Sequence, residues 1–345
     1  MPDQSRGIAL AIAARQRGGV FTVDDVQRAG FSRGQLRGRV QAGHWCRLRT
    51  GVFALAGVVR TADARETHRL RTAAALAVTT NTWASTTSAG VVHGLEMLRE
   101  PPLDVIRLAR AATGPGRARR SADLQIRTCG LPPEHRTVVR GVRTTTAART
   151  AVDLARELPI LTGVVAVDSA MRRRGVTVSA LDAVLSQLAG WPGTARAASA
   201  IQLADPKAES VLESVSRVEL ITRGLPPETQ CWLAGPGGAA RTDFLWWRRR
   251  TIGEADGLAK YEKYGASDRD PLVLEKWRHQ MLDDWGFEVV RWTWAEIRRD
   301  PDAVADRVRR AFARSGLRQE IRARNGEPDL VRRLAAAPWD LPRVI

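Results

Sequence analysis

The segment RTDFLWWRRRTIGEADGLAKYEKY, Arg241 to Tyr264, carries the side chains whose types and spacing suit chemistry. Asp243 is followed by Glu254, Ala255 and Asp256, and the residues between are apolar, aromatic and β-branched around a basic turn. That pattern predicts two neighbouring strands with acids on a shared edge. Alternate strand residues share a face, so Glu254 and Asp256 point the same way, and Lys260 stays in phase if the strand continues. Upstream, Glu209 and Glu213 are expected one turn apart on a single helix face. Carboxylates gathered in this way repel each other and lose solvation. A divalent cation is the usual compensation, and hard oxygen ligands favour Mg²⁺. Carboxylates around Mg²⁺ with a nearby ammonium suit phosphodiester hydrolysis. The metal polarises the phosphate and lowers the pKa of a bound water, while a lysine orients that water or stabilises developing charge.

Composition sets the wider frame. The chain has 345 residues and a net charge of +17. The length suggests two or three domains. The charge calls for an acidic partner, and nucleic acid is the usual one; the alternative is a solvated surface produced by heavy use of arginine. Of the 54 basic residues only Lys207, Lys260, Lys263 and Lys276 are lysines, and three of these lie close to Glu254. In such a chain a lysine marks a position wanting a compact point charge. Cys46, Cys129 and Cys231 are far apart and outside any CxxC pattern, which argues against structural zinc and a disulfide framework. With no apolar run of ~18 residues and no signal-peptide core, a membrane span is not expected, and a reducing cytoplasm is.

The elements that must position these groups read as three sections and a tail. Residues 1–60 show a helix, then Thr22 and Asp25 spaced as a capping box for a second helix ending at Gly30. Ser32 caps a third helix in which Leu36 and Val40 share one face and Arg33 and Arg37 another. The hairpin HWCRLR–TG–VFALAG completes a winged helix-turn-helix pattern. Residues 61–205 are mixed α/β: helices near 64–78, 84–93, 147–157, 161–173, 179–189 and 194–203, with short strands at 104–109, 123–128 and 138–146. His93 and His135 sit in no base–nucleophile arrangement and are expected to be structural. Residues 206–315 run α-β-β-β-α-β, with a helix through KAESVLESVSRVELITRG, implying a mixed sheet flanked by helices. Residues 316–345 read as an Arg-rich tail, partly helical and loose. The fold class is therefore α/β, or α+β multidomain. Seven of the eleven tryptophans lie between Trp232 and Trp294, where core packing is the expected role and base stacking the alternative.

Two stretches resemble known families. LESVSR, GLPPETQ, TDFLWW, GEADGLAKY and GFEVVRWTW make residues 206–300 similar to the PD-(D/E)xK nuclease superfamily, specifically its very-short-patch-repair-endonuclease-like branch. The resemblance implies a restriction-endonuclease-like fold, Mg²⁺ held by Asp243 and Glu254, and Glu213 (or else Glu209) as the helix acid. Asp256 stands where the superfamily's last motif residue is a lysine, and Lys260 is the substitute within strand reach. The alternative is a retained fold whose acids only hold an ion-pair network. SRGQLRGRVQAGHWCRLRTGVFALAG resembles the N-terminal winged helix of AbiEi-family antitoxins of type IV toxin–antitoxin systems, and TTTAARTAVDLA fits proteins joining that domain to the nuclease-like one. This implies DNA binding by Arg33, Gln35, Arg37 and Arg39 in the groove, with Arg47 and Arg49 on phosphates.

Two functions follow as expectations. The first is a cytoplasmic, DNA-binding, Mg²⁺-dependent endonuclease using Glu213, Asp243, Glu254, Asp256 and Lys260. The second is a non-enzymatic antitoxin or transcriptional repressor with an inactive nuclease fold, with a toxin as a candidate partner.

Overall fold

The computed structural model describes residues 3–99, 102–112, 118–256 and 271–335. It comprises two compact units, Met1–Ala204 and Asp205–Ile345. The fold is mixed α/β, as the element order predicted.

The first unit begins with α1 (Asp3–Gln16), β1 (Val20–Thr22), α2 (Val23–Arg28), α3 (Arg33–Gln41), β2 (Trp45–Arg49) and β3 (Val52–Leu55). Local capping sets the helix starts. Thr22 and Asp25 bond reciprocally at the start of α2, and Ser32 and Gln35 do the same for α3, so two otherwise orphaned amide donors are satisfied at each end. The strands pair antiparallel in the order β1-β3-β2. Phe21 and Phe53 pack with Leu10, Val26, Phe31, Leu36 and Trp45 beneath the helices. Val20, Val52 and Ala54, on the alternate strand positions, join the core of the rest of the unit.

That remainder contains α4 (Ala56–Thr61), α5 (Ala64–Ala77), β4 (Thr82–Ala84), α6 (Thr86–His93), β5 (Ile106–Ala111), β6 (Arg119–Arg120), β7 (Leu124–Cys129), β8 (Arg136–Val139) and β9 (Val142–Thr145). Four helices follow: α7 (Ala147–Glu157), α8 (Ile160–Arg174), α9 (Val178–Gln187) and α10 (Thr194–Gln202). The six strands form one sheet in the order β6-β7-β5-β4-β9-β8. The single strand region expected at 138–146 is two strands. Arg140 and Gly141 turn between them at positive φ, and a Cβ on Gly141 would meet the Gly18 nitrogen at 2.5 Å.

The second unit runs α11 (Val211–Thr222), β10 (Glu228–Gly235), β11 (Gly238–Trp246), β12 (Thr251–Asp256), α12 (Pro271–Asp284), β13 (Glu288–Thr293), α13 (Trp294–Arg299), α14 (Pro301–Arg324) and β14 (Arg332–Leu334). Its sheet order is β13-β12-β11-β10-β14, with β12 and β13 parallel and the other pairs antiparallel. One face packs Leu233, Leu245 and Ile252 against Met281, Leu282 and Trp285 around α12. On β12 and β13, Gly253 leaves room for Trp292, whose ring a Cβ would meet at 2.5 Å; Trp292 stacks on Phe244 and donates to Ser216 Oγ at 2.7 Å.

Residues 316–335 are partly helical and partly strand. α14 continues to Arg324, because Ser315 is fully buried and the helix keeps a packed face. Val331 then enters the core and β14 pairs with the outer edge of β10.

Candidate functional site

The acidic cluster of the second unit lies where its sheet loses regularity. Ala240 and Leu245 both enter the core beside α12 although they are five residues apart on β11. Strict alternation must therefore break between them. The β10–β11 register is continuous from Cys231↔Thr242 to Thr229↔Phe244, and Gln230, opposite Asp243 between these pairs, has φ +50°. Asp243 sits at this irregularity. Its Oδ2 accepts the Ala255 N–H at 3.0 Å, beyond Phe244↔Gly253, the last pair of the β11–β12 ladder.

Glu213 approaches Asp243 from the first turn of α11. Its buried carboxylate accepts from Ser210 Oγ at 2.9 Å, from the Glu209 N–H at 2.8 Å and from Gln230 Nε2 at 2.9 Å. Burial pushes its pKa up, and the neighbouring charge of Asp243 pushes it further; the three donors offset only part of this. The Asp243 charge thus adds to burial in raising the Glu213 pKa.

Glu254 is in a different environment. Only 4% exposed, it is ion-paired to Arg278 of α12 and to Arg291 of β13, whose Nε lies 3.1 Å from Oε2. Burial alone would raise its pKa, but the two guanidinium groups outweigh it and hold the carboxyl below its ordinary range. Arg291 is the in-register neighbour of Glu254 on the parallel strand, and Arg278 also donates to the Arg241 carbonyl at 2.9 Å.

Glu209 is corrected. Ser210 is the N-cap of α11, so Glu209 precedes the helix rather than sharing a face with Glu213. Its exposed carboxylate pairs with Arg241 through two contacts of 2.8 Å. Asp256 closes β12, half-buried and in register with Thr293. Lys260 lies outside the described residues. Among the described residues no group of three His, Cys, Asp or Glu side chains is arranged to hold a metal ion. With Glu254 already neutralised by two arginines, the described donor set does not fit Mg²⁺.

The tryptophans divide. Trp246, Trp285 and Trp292 are buried, whereas Trp277 and Trp294 are exposed. Core packing therefore accounts for three of these five.

In the first unit the six basic-face residues separate by what each side chain touches. Arg33 and Arg37 of α3 are exposed. Gln35 is exposed too, but its Oε1 accepts the Ser32 N–H at 2.9 Å, so its amide serves the cap. Arg39 is half-buried over the Phe31 and Trp45 rings, with guanidinium–centroid distances of 5.1 and 5.6 Å. Arg47 lies exposed over Phe53, and Arg49 is ion-paired to Asp123.

His93 and His135 are buried and bonded within the fold. His93 Nε2 donates to the Thr145 carbonyl at 2.7 Å, and His135 Nδ1 accepts from Arg149 Nη1 at 3.0 Å. Burial lowers both pKa values and favours neutral rings. Around His135 lies a network that sequence reasoning missed. Arg149, Asp153 and Arg156 occupy positions i, i+4 and i+7 of α7. Asp153 pairs with Arg149 at 2.8 Å and Arg156 at 2.9 Å, and both guanidinium groups stack on Trp191. The signal was present: charges at helical spacing within the apolar stretch AARTAVDLARE.

Comparison with known proteins places a family match in this same region. Residues 83–204 match the family described as AbiEi antitoxin C-terminal domain. Over 179 residues the chain is 31% identical to two proteins of Mycobacterium tuberculosis, uncharacterized protein MT2308 of strain CDC 1551 / Oshkosh and uncharacterized protein Rv2248 of strain ATCC 25618 / H37Rv. The aligned part is 51% of this chain and 64% of each relative. The chain thus spans less than two thirds of the relatives' length. A solved structure, RV2827C protein from Mycobacterium tuberculosis, aligns with a TM-score of 0.35 and 15% identity, covering 58% of this chain and 76% of that one. Among the described residues no helix is long and apolar enough to cross a membrane.

Proposed function

We propose that this chain is an antitoxin-type DNA-binding regulator that does not cleave nucleic acid. The observation that carries the reading is the antitoxin-family match across residues 83–204. The basic α3 supports it. Arg33 and Arg37 project from a helix whose start is fixed by the Ser32–Gln35 box and whose inner side is anchored by Leu36. Such side chains pair with guanine edges or neutralise phosphate, and the net charge of +17 adds long-range attraction. In this reading α2 and α3 with the β2–β3 hairpin act as a winged helix, and a toxin is the implied protein partner. Glu254, neutralised by Arg278 and Arg291, supports the absence of cleavage.

The test is a gel-shift titration of the full chain on DNA from its own promoter, with unrelated duplex as competitor. A specific complex that weakens in Arg33→Ala/Arg37→Ala supports the reading. Equal binding to both duplexes, or an unaffected double variant, overturns it.

One observation favours a second reading, phosphodiester cleavage: the buried Glu213 feels the charge of Asp243, which itself binds the Ala255 N–H of β12. Plasmid nicking in Mg²⁺ that disappears in Asp243→Ala and Glu254→Gln would establish it.

A further inference from the structure

In the first unit α1 leaves a cavity of about 150 Å³ between itself, α3 and the three-stranded sheet. The sequence explains the void. Gly7, Ala11 and Ala14 stand at positions i, i+4 and i+7 of α1, so they share one helix face, and all three line the cavity. Opposite these small residues stand three buried rings that already pack on one another. Trp45 lies edge-on to Phe21 at 5.1 Å and to Phe31 at 5.5 Å between centroids. Protein interiors are ordinarily close-packed, so an unfilled space of this size forfeits dispersion contacts along its walls. Ala11 and Leu55 line the cavity and are exposed, so it opens to solvent on their side.

The lining is not uniformly apolar. Arg39 of α3 reaches the cavity, with its guanidinium 5.1 Å from the Phe31 centroid and 5.6 Å from that of Trp45. Arg6 of α1 places a second guanidinium 5.9 Å from the Phe31 centroid, and its Nε is buried without a hydrogen-bond partner. No carboxylate is among the described residues that line the cavity. Size, wall chemistry and charge select together. A cavity of about 150 Å³ takes one benzene ring, edge-to-face contacts favour an aromatic occupant, and the guanidinium fork matches a carboxylate. We propose that this cavity is a ligand site for a small, one-ring aromatic carboxylate, with its ring among Phe21, Phe31 and Trp45 and its carboxylate on Arg39. A guanidinium has five donors, so Arg39 can bind the carboxylate while it stays over the two rings. The site stands whether or not α3 reads DNA.

The experiment titrates the full chain with benzoate, toluene and cyclohexanecarboxylate and follows each probe by ligand-detected NMR. Toluene keeps the ring and replaces the carboxylate by a methyl group; cyclohexanecarboxylate keeps the charge and loses the π faces. The wild type is expected to bind benzoate and toluene, and cyclohexanecarboxylate more weakly than benzoate. Arg39→Met is expected to weaken benzoate by about tenfold or more, the scale of a charged hydrogen bond, and to leave toluene unchanged. Ala11→Phe, at an exposed position on the cavity edge, is expected to fill the space and block all three probes.

A wild type that binds no benzoate at millimolar concentration overturns the proposal. So does benzoate binding that survives Ala11→Phe or is unchanged in Arg39→Met, and so does cyclohexanecarboxylate binding as tight as that of benzoate. If Arg39→Met does not fold, Arg39→Lys takes its place: it keeps a cation without the fork, and unchanged benzoate affinity in that variant overturns the assignment to Arg39. The gel-shift on promoter DNA contains none of the probes, so failure of the DNA-binding reading is seen separately.

Discussion

Asp243 and Ala255 are joined by a side-chain-to-backbone hydrogen bond of 3.0 Å where the main-chain ladder between their strands has ended. The carboxylate stands in for a strand carbonyl. One group therefore holds two strands together and also sets the charge felt by Glu213.

Those two roles separate by substitution. Asp243→Ala removes the acceptor and is expected to lower unfolding free energy by about 1–2 kcal/mol, the cost of a lost bond at a partly buried donor. Asp243→Asn keeps an acceptor oxygen and removes the charge. It is expected to cost less and to bring the Glu213 titration down toward its ordinary range. Urea unfolding and carboxyl-resolved NMR titration of the two variants check this; equal losses would show that the bond to Ala255 does not matter.

The two buried glutamates give stability opposite pH slopes. Glu213 is raised above 4.5 in the folded chain, so the folded state binds more protons there, and stability falls as pH rises from 4.5 through the raised value. Glu254 is lowered, so its contribution is present above 4.5 and is lost as pH falls through its folded value. Glu213→Gln is expected to flatten the loss on the upper side and Glu254→Gln the loss on the acid side. Unfolding midpoints from pH 3 to 8 (a range of roughly the span that linkage covers) distinguish the two.

On the basic face, Arg37 and Arg49 should behave differently. Arg37→Ala removes an exposed cation, and its loss should weaken DNA binding and reduce the slope of log affinity against log salt by about 1. Arg49 already has a carboxylate partner in Asp123. Its replacement should change the slope less, whereas Asp123→Asn releases the arginine and should strengthen binding. Fluorescence-anisotropy titrations at several salt concentrations measure each slope.

Within the family-matched region, Asp153 is the common acceptor of two buried arginines. Asp153→Ala leaves both cations without it, and the expected loss is about 3–5 kcal/mol, the scale of breaking a buried pair from one side. Arg156→Met leaves the Arg149–Asp153 pair in place and should cost less. Chemical denaturation of both compares them, and a mild Asp153→Ala phenotype would show that the network adds little stability.

What could be read beforehand follows from the range of each interaction. The Thr22–Asp25 and Ser32–Gln35 caps are local, so residue type and a three-residue spacing reveal them. The alternating TIGEAD and EVVRWT stretches likewise announce strands, and both occur at Thr251–Asp256 and Glu288–Thr293. Glu209 was misplaced although the signal was visible: Ser210-x-x-Glu213 is itself a cap spacing, which moves the helix start past Glu209. The Glu254 pairs were not legible. Arg291 reaches Glu254 only through a parallel register and Arg278 only through the docking of α12, neither of which leaves a local pattern.

The pairing of β14 with β10 also bears on how the protein is made. Ribosomal synthesis runs from the N-terminal end, so Glu228–Gly235 emerges long before Arg332–Leu334 exists. At ~5–20 residues per second, the outer edge of β10 waits about 5–20 s for its partner. An open strand edge is a template for pairing with other chains. Nascent molecules on a shared messenger are therefore most prone to cross-pairing in that interval, and a chain cut before Arg332 would remain in it.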